Sequence, residues 1–226
     1  MNKNYLVLQN CRLFSGISGS KQEALLRCLA AREKQYKKNG IVFLTGDNIT
    51  FIGIVLKGAV HIVHEDYWGR RKIAARIESG EIFGEAFACA ETKKLPVSII
   101  AAEKTELLLL DSRRITKPCS AACSFHADLV RNLTILLAEK NIALIQKLEH
   151  ITQTNTREKL LSYLSEQANK TEKNAFEILF NREELADYLS VERSAMSAEL
   201  SRMKKDGLIV YRKNHFELIK AGFSEI

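Results

Sequence analysis

The 226-residue chain has no apolar run approaching the length of a membrane-spanning helix, no internal repeat and no low-complexity segment. Those absences argue against a membrane protein, a repeat array and a disordered chain. The N-terminal stretch MNKNYLVLQN lacks the basic, apolar and small-residue order of a secretory signal, so a cytoplasmic location with no membrane partner is expected. Cysteine is sparse and odd in number. Cys11, Cys28, Cys89, Cys119 and Cys123 suit a reducing compartment better than a disulfide framework. Neither glycine nor proline occurs between positions 119 and 153. What the chain does contain, 46% apolar and 27% charged residues, is ordinary for one or two globular cores.

The most informative stretch is Asn181 to Leu208, NREELADYLSVERSAMSAELSRMKKDGL. Leu185, Ala186 and Leu189 share one face of a first helix, which Asn181 and Glu184 can cap, and Ser190 ends it. Val191 fills the corner. Met196, Leu200 and Met203 then give a second helix one buried stripe, opposite Ser194, Ser197, Ala198, Ser201 and Lys205. A face of small side chains lets a helix approach the floor of a major groove, and Arg193 is the long forked donor at its start that can take a guanine edge. An ordinary αα-hairpin fits the two helices equally well. Glu199 also falls where a helix-turn-helix usually has an apolar residue, with Leu200 taking over the packing. The flank favours the helix-turn-helix: Leu208–Tyr211 and Phe216–Ile219 alternate around the polar turn Arg212–His215, as in a wing.

The net charge of +7 adds less than it promises, because residues 156–226 hold 12 basic and 12 acidic side chains. The local excess lies at Arg202, Lys204, Lys205, Arg212 and Lys213, against Asp206, where phosphates would be met; a solvated surface is the plain alternative.

Earlier in the chain, Ser20–Ala31 reads as an amphipathic helix running into the basic residues Lys34, Lys37 and Lys38. From Gly40 to Asp111, short β-rich runs (41–43, 52–64, 73–77, 97–101 and 107–110) alternate with glycines, which points to a small antiparallel barrel or jelly roll. Within it, Gly80-Glu-Ile-Phe-Gly84-Glu85 is a tight connection suited to an anion and to sugar hydroxyls.

Together with Gly46-Asp47, Gly58 and the winged helix, that hexapeptide resembles the Crp/Fnr superfamily of bacterial transcription regulators over nearly the full chain. The resemblance implies an α+β fold: a β-roll (double-stranded β-helix, or jelly roll) sensor domain over 1–118, a long dimerisation helix and hinge over 119–155, and a winged helix-turn-helix over 156–226. It implies a homodimeric, sequence-specific regulator rather than an enzyme, acting on a palindromic operator in double-stranded DNA, with RNA polymerase as a further candidate partner. Arg193, Ser194, Ser197, Ser201, Lys205, Arg212 and Lys213 would meet DNA. Gly84, Glu85, Leu95, Pro96, Ile145 and Gln146 would line the pocket of a small-molecule effector.

The departures from the family pattern are specific. The cyclic-AMP-binding members carry Arg and then Ser or Thr ten residues after the last Glu of the hexapeptide; here Leu95 and Pro96 stand there, with no donor for a cyclic phosphate. Cyclic AMP is therefore not the expected effector, and the exchange Leu95→Arg with Pro96→Ser is expected to improve its binding where the geometry is otherwise retained. Lys93 and Lys94 are substitute cations or plain loop lysines. Only Cys11 lies where the oxygen-sensing members place several cysteines, so no iron–sulfur cluster is expected. Cys119, Cys123 and His126, at i, i+4, i+7, form a weak metal or thiol-redox candidate, with buried thiols as the plainer reading. A cupin-like enzyme lacks a complete metal set around His61 and His64. Finally, Leu133, Leu137, Asn141, Leu144 and Leu148 fit a two-stranded coiled coil, although the first turns could pack on the β-roll instead. The polar stretch Thr152–Thr156 reads as a hinge, with Thr156 capping the next helix.

Overall fold

A computed structural model of the protein describes residues 6–17, 19–90, 94–116 and 124–219. Two compact units are present, Met1–Ala138 and Glu139–Ile226.

The first unit holds strands β1 (Arg32–Tyr36), β2 (Ile41–Phe43), β3 (Phe51–Lys57), β4 (Ala59–Glu65), β5 (Arg71–Glu78), β6 (Ile82–Phe83), β7 (Ser98–Ala101) and β8 (Thr105–Asp111). They form two four-stranded antiparallel sheets, in the orders β1-β8-β3-β6 and β2-β7-β4-β5. Helices α1 (Leu6–Asn10), α2 (Ser20–Cys28), α3 (Glu85–Cys89), α4 (Ser112–Thr116) and the first part of α5 (Ser124–Ile151) complete the unit. The unbroken apolar runs in β3 and β8 follow from burial on both faces. Leu107 and Leu109 meet Val55, Val60, Phe83 and Ile99 between the sheets. Their neighbours Leu108 and Leu110 turn the other way, with Ile52 and Ile54, to a second core built with Leu25, Leu29, Leu129, Leu133 and Leu136 from the helices. Gly53 is required by this arrangement, since a Cβ there would lie 2.0 Å from Cζ of Phe83.

The basic run after α2 is not helical. Ala30 adopts a left-handed conformation (φ +47°), and residues 32–36 turn into β1, at the edge of its sheet and paired among the described residues with β8 alone. Charged side chains on an edge strand hinder further strand pairing, which accounts for Arg32, Glu33 and Lys34 in an extended segment.

The second unit holds the remainder of α5, then α6 (Thr156–Thr171), β9 (Ala175–Glu177), α7 (Arg182–Leu189), α8 (Arg193–Lys205), β10 (Ile209–Arg212) and β11 (His215–Leu218). Leu160, Tyr163 and Leu164 of α6 join Leu185, Leu189, Met196, Leu200, Met203, Ile209 and Phe216 in its core. Asn181 forms the expected capping box with Glu184, and Ser190 closes α7 with φ +52°. Two local expectations change. Asn155, not Thr156, caps α6 by accepting from the Glu158 N–H at 3.0 Å, which leaves Thr156 as the first helical residue. Arg212 and His215 pair across the wing, so the turn shrinks to Lys213-Asn214.

Candidate DNA interface and effector pocket

Helix α8 is buried along Met196, Leu200 and Met203 and exposed along Arg193, Ser194, Ser197, Ala198, Ser201 and Lys205. The hydroxyls are partly committed. Ser197 donates to the Arg193 carbonyl at 2.9 Å and Ser201 to the Ser197 carbonyl at 3.0 Å, while Ser194 donates to Glu192. Each hydroxyl oxygen keeps acceptor capacity, and between Arg193 and Lys205 the stripe itself carries only the small side chains of Ser194, Ser197, Ala198 and Ser201. In the wing, Arg212 and Lys213 are exposed at the end of β10 and in the turn. The expected DNA set thus lies on α8 and the wing tip of one compact unit.

Two arginines that shape this surface carried no local sequence signal. Arg182, at the start of α7, lies over the rings of Tyr211 (5.1 Å) and Phe216 (5.0 Å) and donates to the Lys213 carbonyl at 2.7 Å, which ties the wing to the helix pair. Arg157, in the first turn of α6, donates through Nε to Glu199 at 2.7 Å and through Nη2 to Asp206. Glu199 is 9% exposed and also accepts from Arg202 Nη1 at 2.9 Å. The hydrogen bond from Arg157, helped by Arg202, holds its carboxyl below the usual range against the opposing effect of burial. Glu199 and Leu200 therefore both face inward, and the departure from the apolar pattern is met by an ion pair. The partners stand 42 and 49 residues from Arg157 in sequence, so only the inward carboxylate hinted at a cation.

At the sensor end, Gly84 (φ +78°) starts α3, and a Cβ there would lie 2.7 Å from Ile49 Cδ1. Glu85 follows it and is buried. Leu95 is 1% exposed within the helix-side core, and its backbone joins the Gly46-Asp47 turn: its N–H donates to Asp47 O and its carbonyl accepts from Gly46, both at 2.9 Å. Its side chain is a packing element, so the double exchange at Leu95 and Pro96 would not retain the geometry: a guanidinium at 95 would enter an apolar core. Pro96 is exposed, and Lys94 likewise. Ile145 and Gln146 belong to the second unit, where Ile145 is exposed and Gln146 accepts from Lys170 at 3.3 Å.

Of the expected seam, Leu133 is buried in the first unit's core and Leu137 packs against that core half-buried; Leu133 is corrected from a seam residue to an intrachain one. Asn141 is exposed, as are Leu144 (61%) and Leu148 (54%). His126 is buried, with Nε2 2.9 Å from the Ile115 carbonyl oxygen, whereas Cys119, Cys123 and Lys93 lie outside the described residues. Among the described residues no helix is long and apolar enough to cross a membrane.

Residues 33–121 match the family of cyclic nucleotide-binding domains and residues 158–221 the Crp-like helix-turn-helix domain, together about two thirds of the chain. A search of curated proteins finds no match. Among solved structures, the c-di-GMP-responsive global regulator CLP of Xanthomonas campestris is 20% identical, with a TM-score of 0.53 over 88% of this chain and 100% of that one. DNR from Pseudomonas aeruginosa is 18% identical, with a TM-score of 0.50 over 98% and 96% of the two chains. A putative cAMP-binding regulatory protein from Silicibacter pomeroyi DSS-3 is 20% identical, with a TM-score of 0.50 over 95% and 93%. At such identities the likeness concerns the fold. With a cyclic nucleotide-binding domain followed by a Crp-like helix-turn-helix, the chain belongs to the Crp/Fnr superfamily of DNA-binding transcription regulators.

Proposed function

We propose that the protein works as a homodimer on a palindromic operator, with residues 1–118 sensing a small effector, 119–155 pairing the subunits and 156–226 reading DNA. The observation that carries this is the outward face of α8, where exposed Arg193 precedes Ser194, Ser197, Ala198 and Ser201, flanked by Lys205 and by Arg212 and Lys213 of the wing. Arg193 reads a base edge, the small residues permit close approach, and the lysines and Arg212 meet phosphates. Exposed Leu144 and Leu148 supply the apolar strip for pairing. Effector binding biases the helix pair between arrangements that do and do not present both α8 helices about 34 Å apart.

The effector is not cyclic AMP in this reading, because Leu95 serves the core and Pro96 has no N–H to offer a phosphate. CLP is described as c-di-GMP-responsive, so this fold serves effectors other than cyclic AMP. For a metal or thiol input at Cys119, Cys123 and His126, His126 is the member within the described residues: its Nε2 lies 2.9 Å from the Ile115 carbonyl oxygen and its buried Nδ1 has no hydrogen-bond partner among them.

Selection of bound sequences from a random duplex library tests the reading. A palindrome with half-sites about one helical turn apart is expected, and titration calorimetry with cyclic AMP should show no binding below about 100 μM. Enrichment of no sequence, or of an isolated half-site, would overturn the operator reading; a low-micromolar cyclic AMP constant would overturn the pocket reading.

A further inference from the structure

At the inner margin of α8 two arginines, Arg157 and Arg202, are matched by two carboxylates, Glu199 and Asp206, where a DNA-binding surface gains from excess cation. Glu199 sits on the inward side of the helix beside Leu200 and Met203, a position an apolar residue could fill. Its Oε1 accepts from Arg157 at 2.7 Å and its Oε2 from Arg202 at 2.9 Å, and Arg157 reaches Asp206 as well. Two arginines and two carboxylates thus cancel. Arg202 is exposed next to Ser201, at the edge of the outward face, and Arg157 is partly exposed at the start of α6. A carboxylate held this far inside loses hydration and needs compensating partners, so its presence calls for a role beyond filling space.

We infer that Glu199 is a positioning residue for DNA binding, which holds Arg157 and Arg202 as paired charges and so limits the phosphate contacts made irrespective of sequence. The inference rests on the DNA-binding reading of α8. Phosphate contacts draw a regulator to every duplex alike, and each cation that meets one releases counterions. Glu199 occupies both guanidinium groups, and its bond to Arg157 at the same time fixes the start of α6 against the middle of α8. Arg193 and the lysines then dominate what the surface does.

The test is fluorescence anisotropy of the full chain with a labelled random-sequence duplex over a salt series, for the wild type, Glu199→Gln, Arg202→Gln and the double variant. Glu199→Gln is expected to bind more tightly and to steepen the dependence of log affinity on log salt by about 0.9 for each arginine released in each protomer. Arg202→Gln alone should leave that slope unchanged, yet remove one increment in the Glu199→Gln background. Glu199→Leu, which keeps the core filled, should act like Glu199→Gln and serves if the glutamine variant fails to fold. A lower melting temperature with an unchanged slope would reduce Glu199 to a purely structural residue. A flatter slope for Arg202→Gln alone would mean that Arg202 meets phosphate despite its partner. Either result overturns the inference, while a wild type that binds no duplex overturns the DNA reading on which it stands.

Discussion

An arginine that reads a base and a lysine that meets a phosphate fail in different ways when removed. Arg193→Ala is expected to cost ~1–3 kcal/mol at the selected operator and to relax preference at one base pair of each half-site. Lys205→Ala and Lys213→Ala should instead weaken selected and random duplexes alike and reduce the salt slope by about 1. The Lys213 backbone carbonyl that accepts from Arg182 survives side-chain removal, so the wing keeps its anchor in that variant. A binding array on which Arg193→Ala leaves every base preference intact would remove it as the reader. Leu95 shows what a motif position can conceal at the same scale. The spacing from Glu85 identifies it as the site of a missing arginine, but spacing alone does not reveal which way the side chain points. The hydrogen bonds between its backbone and the Gly46-Asp47 turn accompany a side chain directed into the core.

Among the elements, α5 is the one whose sequence admits two readings along its length. A 3,4 spacing of apolar residues serves a partner helix or the chain's own sheet equally, because both need one continuous stripe. Leu129, Leu133 and Leu136 face the first unit's core, whereas Leu144 and Leu148 remain uncovered. Its last turn is tied down by a histidine that sequence patterning passed over. His150 is 2% exposed, with Nδ1 2.8 Å from Ser162 Oγ and Nε2 2.6 Å from Glu166 Oε2, and its ring meets Tyr163 and Tyr188 at centroid distances of 5.7 and 6.1 Å. Burial pushes the Glu166 carboxyl up, but hydrogen bonds from Lys170 and His150 outweigh it and hold the group below the usual range. The end of α5 is thereby joined to α6 within the second unit, and Thr152 and Gln153 donate back to carbonyls of α5. Thr152–Thr156, expected as the hinge, thus carries hydrogen bonds back to α5 and the Asn155 cap of α6. His150→Ala is expected to cost about 2–3 kcal/mol, since it leaves Ser162 and the charged Glu166 without their shared partner. Thermal unfolding of the isolated variant checks this, and an unchanged melting temperature would show that the cluster contributes nothing.

At the scale of the whole molecule, Leu144 and Leu148 are exposed, and a second copy of α5 is the occupant proposed above. Replacing both with Lys would place four ammonium groups in one symmetric seam, where each must lose hydration. Sedimentation should show a dimeric wild type at micromolar concentration and a monomeric double variant with weak operator binding. A monomeric wild type that binds a palindrome tightly would overturn the account. What the sequence determined by itself is whatever depends on local periodicity and turn chemistry: the strands between Gly40 and Asp111, the Asn181 cap, the buried stripe of α8, the wing and the order of domains. Each of these is written within a few turns or one hairpin, where neighbours in sequence are neighbours in space. Tertiary structure alone decided the pairing of Glu199 with Arg157, the direction of Leu95, the stacking of Arg182 on the wing and the edge-strand fate of residues 32–36. Those outcomes depend on groups tens of residues apart, such as Arg157 with Asp206 and β1 with β8, and no local pattern encodes which distant charge or strand will arrive.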